Sequence, residues 1–215
     1  MGQKVNPKSL RIGINKGWKS KWFSNLKKYK LFLDQDIKIR ETINHKYSLG
    51  TISEIRIERQ RKDTLIKIYT ARPGVVIGRS GKGTEELSEE LAKKIPGFKA
   101  KIEVFEVAKS DSVARIIAEN VAYQIEKRVN YRRAVKQAID KAKETNIAGI
   151  RIRVSGRLNN VDIARSEVFS WGSIPSQTLK ANVDLAVVHA KTATAGTIGV
   201  KVYTYKKAKV KNAYA

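Results

Sequence analysis

The sequence contains no cysteine and only two histidines, His45 and His189, far apart in the chain. The first absence excludes disulfides, thiolate metal sites and cysteine nucleophiles. With so few histidines, zinc sites and Ser-His-Asp chemistry lack their parts. No apolar run approaches the ~18 residues of a membrane-spanning helix. The first 21 residues alternate polar, basic and single apolar side chains, so no signal-peptide core is expected. Met1-Gly2 opens like a myristoylation site, but Asn6 stands where Ser or Thr is required. Negative charge is also scarce: 20 Asp+Glu face 44 Lys+Arg, a formal net charge of +24 over 215 residues.

That excess points to a polyanionic partner, because a compact free chain repels itself until an anion relieves it. The rival anion, a membrane surface, lacks an anchoring segment. The leading class is a cytoplasmic nucleic-acid binder. With 41% apolar residues the chain has enough to build a core, and its length suits one large domain or two small ones. The charge is uneven: net +9 over residues 1–50, +4 over 51–110 and +11 over 111–215.

The opening Met1-Gly-Gln-Lys-Val-Asn-Pro-Lys8 has neither helical nor strand period and reads as an extended basic arm over 1–16. Gly17 to Phe23 interleaves Lys19 and Lys21 with Trp18, Trp22 and Phe23. These rings either stack on bases or riboses or pin the arm to a domain. Leu33, Ile37, Ile43 and Tyr47 fall near helical spacing in a helix over about 26–46, ended by Ser48-Leu49-Gly50. Two alternating runs, 52–57 and 65–69, flank the polar stretch 59–64 as a hairpin. Leu87, Leu91 and Ile95 stand at i, i+4, i+8 in a helix with Glu85 and Glu86 in its first turn and Lys93 and Lys94 in its last, stopped by Pro96-Gly97. Ile102, Val104 and Val107 then read as a strand.

The glycine cluster Gly78-Arg79-Ser80-Gly81-Lys82-Gly83 is neither a Walker loop, since Thr84 stands where its Lys must be, nor a dinucleotide fingerprint. What fits is helix, Gly-x-x-Gly, helix, between a hairpin and a third strand. Two glycines let a phosphodiester backbone approach the main chain, and Arg79 and Lys82 add charge. This is the nucleotide-clamping loop of a KH module.

Farther on, residues 111–128 read as a helix with Val113, Ile116, Ile117, Val121 and Ile125 on one stripe. Asn130 caps a second helix, 131–144. On its wheel Arg132, Lys136 and Lys143 share an arc with Arg133 at the edge, a cationic ridge. A two-faced strand over 150–154 sets Arg151 and Arg153 against three apolar residues, and a last strand spans 197–205. The second half is a separate α+β layer.

Met1-Gly-Gln-Lys-Val-Asn-Pro7, Thr70-Ala-Arg-Pro-Gly-Val-Val-Ile-Gly78, Tyr131-Arg-Arg-Ala-Val-Lys136, Val154-Ser-Gly-Arg-Leu158 with Ile163-Ala-Arg165, and Gly199-Val-Lys-Val202 together resemble the bacterial ribosomal protein three family of the small subunit, in order along essentially the whole chain. The resemblance implies an α+β protein with an N-terminal type II KH domain, a three-stranded sheet with helices at about 39–108 inside an N-terminal domain of 17–108. A second α+β domain of two helices and a sheet follows at 109–206, then a basic tail at 207–215. It implies a seat on the small-subunit head, with 16S rRNA, mRNA and ribosomal proteins ten and fourteen as partners and no enzymatic activity, cofactor, metal, membrane or small-molecule substrate. Gly78, Arg79, Ser80, Gly81 and Lys82 would form the RNA-binding loop. Arg132, Arg133 and Lys136 would line the channel through which mRNA enters and help unwind it. Lys4, Lys8, Arg11, Lys16, Trp18, Lys19, Lys21, Trp22, Arg151, Arg153, Arg157 and Arg165 are expected as further rRNA contacts.

Three departures stand out. The GxxG loop holds Arg79-Ser80 where two charged residues are usual, the segment 166–182 lacks a basic residue before Pro175 and has Ser176-Gln177 in place of a Leu-His pair, and the C-terminal tail is short. The alternative reading is a free-standing KH regulator of single-stranded RNA. A nuclease or phosphotransferase is disfavoured because no carboxylates pair for two-metal chemistry.

Overall fold

The computed structural model describes residues 4–47, 50–60, 63–95, 100–145 and 147–206. The expected stop at Pro96-Gly97, part of the stop at 48–50 and the basic tail from 207 lie outside them. The described residues form two compact units, 18–110 and 4–17 with 111–206.

In the 18–110 unit the sheet order is β1 (Ser20–Lys21), β2 (Ile52–Gln60), β3 (Asp63–Thr70), β4 (Ala100–Glu106). β2 and β3 form the expected antiparallel hairpin, while β4 runs parallel to β3. A parallel neighbour requires a crossover, supplied by α2 (Pro73–Ile77) and α3 (Lys82–Lys94). The two-residue β1 pairs parallel with β2, so the expected three-stranded sheet has a short fourth strand. A register shift between Ile52 and Glu54 reconciles the odd spacing of Ile52, Ile55 and Ile57, all buried on one face. Leu87 and Leu91 of α3 seal that face; each buried leucine contributes about 2 kcal/mol.

The helix α1 (Leu26–Lys46) forms where the periodicity predicts, but with a different inner face. Ile39 and Ile43 enter the core, while Leu33 and Ile37 remain 42% and 46% exposed. The reason is Asp36, which turns inward because Arg59 donates to its carboxylate and Trp22 Nε1 donates to it at 2.8 Å. A buried carboxylate is tolerated when paired and hydrogen-bonded in this way.

The second unit places α4 (Ala114–Glu126) and α5 (Tyr131–Lys143) on an antiparallel sheet ordered β6 (Arg165–Gly172), β5 (Gly149–Gly156), β8 (Gly196–Lys206), β7 (Asn182–Thr192). Val121, Ala122 and Ile125 of α4 and Val135 and Ile139 of α5 pack on Ile150, Ile152, Val154, Val200 and Val202. Neither β6 nor β7 was among the strands expected from the sequence.

The segment expected as an extended arm is instead a folded hook on this unit. Ser9–Arg11 make one 3₁₀ turn and Arg11 is fully buried. Its guanidinium donates to the Pro7, Pro175, Ser176 and Thr178 carbonyls at 2.9–3.2 Å. Asn15 Nδ2 donates to the carbonyls of Leu179, Lys180 and Ala181. Lys8 pairs with Asp184 at 3.0 Å and Lys16 at 3.9 Å. Burial works against the charge on Asp184, but the two lysines outweigh it and hold its pKa below the ordinary carboxylate value.

Candidate nucleic-acid interface

The GxxG loop emerges from local backbone chemistry. Pro73 opens α2 at a position where its missing N–H costs nothing. Gly78 ends α2 at φ +71°, and a Cβ there would stand 2.9 Å from the Gly83 nitrogen. Gly81, at φ +82°, caps α3 in the left-handed region and has nothing within 4 Å of a would-be Cβ. Gly78 therefore permits the two helices to approach, whereas Gly81 keeps the outer side of the turn open. Arg79 and Lys82 are exposed beside it. The side chain of Ser80 lies outside the described residues. The positive end of the α3 dipole and two cations thus converge on an accessible loop, an arrangement suited to phosphate.

The ridge on α5 is also in place, with one difference. Asn130 accepts from the Arg132 backbone N–H at 3.0 Å and starts the helix. Arg132, Arg133 and Lys136 are all exposed. Arg132, however, is engaged: its Nη2 and Nε donate to the Glu167 carboxylate at 3.0 and 3.3 Å, and Tyr131 Oη donates to the same carboxylate at 2.8 Å. The Arg132 hydrogen bond, then that of Tyr131, lowers the Glu167 pKa, and Glu167 in turn raises that of Arg132. Arg133 and Lys136 make no ion pair among the described residues. Lys143, farther along the ridge, pairs with Asp140.

A KH domain model matches residues 38–112, and a model described as ribosomal protein S3, C-terminal domain, matches residues 121–204. Small ribosomal subunit protein uS3 of Clostridium acetobutylicum is 44% identical over 205 residues, covering 95% of this chain and 92% of the relative. The uS3 proteins of Carboxydothermus hydrogenoformans and Hydrogenovibrio crunogenus are 47% and 43% identical, over 96% and 98% of this chain and 92% and 91% of their own. The chain belongs to the uS3 family.

The remaining expected contacts fall into two groups. Lys4, Trp18, Lys19 and Lys21 are exposed, as are Arg153 and Arg165; Arg151 and Arg157 are half-buried. Arg153 reaches Ser166 Oγ, Arg157 reaches the Val161 carbonyl and Asp162, and Arg165 lies 3.9 Å from Glu167. Four others are occupied within the protein. Arg11 is buried under the hook and leaves the set of surface contacts; its place is structural. Lys8 and Lys16 face Asp184, and Trp22 is anchored by Asp36 with its ring against Tyr29 and Phe32. Of the open choice for the aromatics, Trp22 takes the packing role and Trp18, 66% exposed, is left at the surface.

Glu167, which accepts from Arg132 and Tyr131, is not among the site residues expected from the sequence. The signal available was alternation in Arg165–Gly172, which sets Glu167, Phe169 and Trp171 on the helix side of β6. Among the described residues no cluster of His, Asp and Glu could hold a metal ion, and no helix is long and apolar enough to cross a membrane.

Proposed function

We propose that the chain is a non-enzymatic constituent of the small ribosomal subunit head in the cytoplasm. It binds 16S rRNA through the GxxG loop and its basic surface, and presents Arg133 and Lys136, with Arg132 fixed beside them, to mRNA entering the subunit. The observation that carries this reading is the α5 ridge: Arg132 is held in a bidentate pair by Glu167 while the next two cations project without carboxylate partners among the described residues. Lysine and arginine in that setting grip phosphates and leave bases unread, which suits a channel that must pass any sequence. No nucleotide-binding motif is present in the sequence, so unwinding draws its energy from the translocating ribosome.

Partner proteins have a surface of their own. Leu26, Leu33 and Ile37 share one stripe of α1, 94%, 42% and 46% exposed, with Tyr29 on the same helix and the 92%-exposed Phe23 shortly before it in the chain. An apolar stripe of this kind marks a protein interface, and we assign it to ribosomal proteins ten and fourteen. Sedimentation of cell extract in high-magnesium buffer tests the whole reading. The chain is expected in the small-subunit peak; recovery near the top of the gradient would favour a free-standing KH regulator.

A further inference from the structure

Each unit has a sheet with one face turned away from its own helices, and the two faces differ in charge. In the 18–110 unit that face carries Lys21, Arg56, Lys67 and Lys101 with Glu54, Glu58 and Glu103. Three of its four cations have a carboxylate: Arg56–Glu54 at 3.3 Å, Lys67–Glu58 at 2.7 Å and Lys101–Glu103 at 3.5 Å; the fourth, Lys21, stands opposite Glu58 in the register. Arg56 also lies over the Tyr69 ring, which stacks on Phe105. Three carboxylates therefore offset all but one of the four cations on this face.

The corresponding face of the second unit is built otherwise. Ile150, Ile152 and Val154 point into the core, so Arg151, Arg153 and Ser155 point away from it. The register sets Tyr203 opposite Arg151, Lys201 opposite Arg153 and Gly199 opposite Ser155. On the flanking strands Val168 pairs with Arg153 and Val187 with Lys201. No outward position of β5, β6, β7 or β8 carries a carboxylate, whereas Lys191 extends the positive charge along β7. Arg153 and Lys201 are exposed at the surface. Residues two apart on a strand are separated by about 7 Å and neighbouring strands by about 5 Å, so three cations crowd a small area with no internal counter-charge.

We propose that this open face of the second sheet is an RNA-binding surface distinct from the GxxG loop and the α5 ridge, with phosphates seated on Arg151, Arg153 and Lys201 and a ribose or base against Tyr203. The proposal rests on the RNA-binding reading above. It goes further in assigning one sheet face to RNA and excluding the other. Charge complementarity selects the occupant: the chain offsets most of the charge on one face with its own carboxylates and leaves the other to an external polyanion.

Salt titration of full-length chain binding to a 16S rRNA transcript tests this. The triple variant Arg151→Gln, Arg153→Gln, Lys201→Gln should make the slope of log K against log salt shallower by about 2 to 3, three phosphates' worth. The double variant Arg151→Lys, Arg153→Lys should keep the wild-type slope. A second triple, Arg56→Gln, Lys67→Gln, Lys101→Gln, removes the same net charge from the self-paired face and should shift the slope by less than about 1. Equal losses from the two triples, or none from the first, would overturn the assignment. So would wild-type binding to phosphatidylserine vesicles that the first triple abolishes while rRNA binding persists, since the face would then belong to a membrane. Failure of the wild-type chain to bind the transcript at all would instead sink the ribosomal reading itself.

Discussion

Arg132 at the start of α5 and Glu167 on β6 are joined by two hydrogen bonds of 3.0 and 3.3 Å, with Tyr131 donating to the same carboxylate. One member of the ridge is thereby held while its neighbours remain available. Glu167→Gln should release Arg132 to a phosphate. RNA binding of the variant is expected to steepen in salt dependence by about one contact, roughly 0.7 to 0.9 in slope. Thermal stability should hardly move, because exposed ion pairs contribute little. An unchanged slope would show that Arg132 already reaches RNA through the pair.

The GxxG loop separates folding from binding. Arg79→Asp with Lys82→Asp should weaken RNA binding while circular dichroism stays that of the wild type. Both side chains are exposed, and acidic residues at the start of α3 complement its dipole. Loss of the folded signal would make the loop a structural element.

Arg11 is predicted to behave as a core residue. Arg11→Met leaves four carbonyls of residues 7, 175, 176 and 178 without their donor and should cost about 3 kcal/mol, the scale of hydrogen bonds to a buried charged group. Arg11→Lys should not restore stability, because an ammonium does not reproduce the planar fork. A urea midpoint unaffected by Arg11→Met would mean that the hook adds nothing.

The hook should also loosen in acid. The folded-state pKa of Asp184 is lowered, so its contribution is present above the unfolded carboxylate value of about 3.9 and is lost as pH falls through the lower folded value. Amide exchange in residues 4–17 should accelerate over that range in the wild type. In Asp184→Asn it should already be fast at neutral pH and nearly insensitive to acid. Identical pH profiles for the two proteins would remove Asp184 from the account.

What could be read from the chain, and what could not, divides along contact range. α3 announces itself through Leu87 and Leu91, with glutamates at its start and lysines at its end, and α5 through its Asn130 cap. The GxxG loop follows from element order. β6 is an edge strand whose serines and Glu167 mask its alternation, so it was not read, and with it went the partner of Arg132. The inner face of α1 departs from the periodicity because Asp36 is buried by virtue of Arg59 and Trp22, 23 and 14 residues away. The burial of Arg11 depends on carbonyls 164 to 167 residues distant. Periodicity carries no information at that range, and a basic residue in a polar stretch reads as surface.

The role of the α5 ridge is tested most directly by subunits reconstituted with Arg132→Ala, Arg133→Ala, Lys136→Ala. All three side chains are exposed, so the particles should assemble. Each lost charge–phosphate contact is worth on the order of 1 kcal/mol. The measurement is the elongation rate on two messages that differ only in a stable hairpin at the point where mRNA enters. The expected result is near-normal translation of the unstructured message and marked slowing on the hairpin. Equal slowing on both messages would contradict an unwinding role and leave the ridge as an rRNA contact.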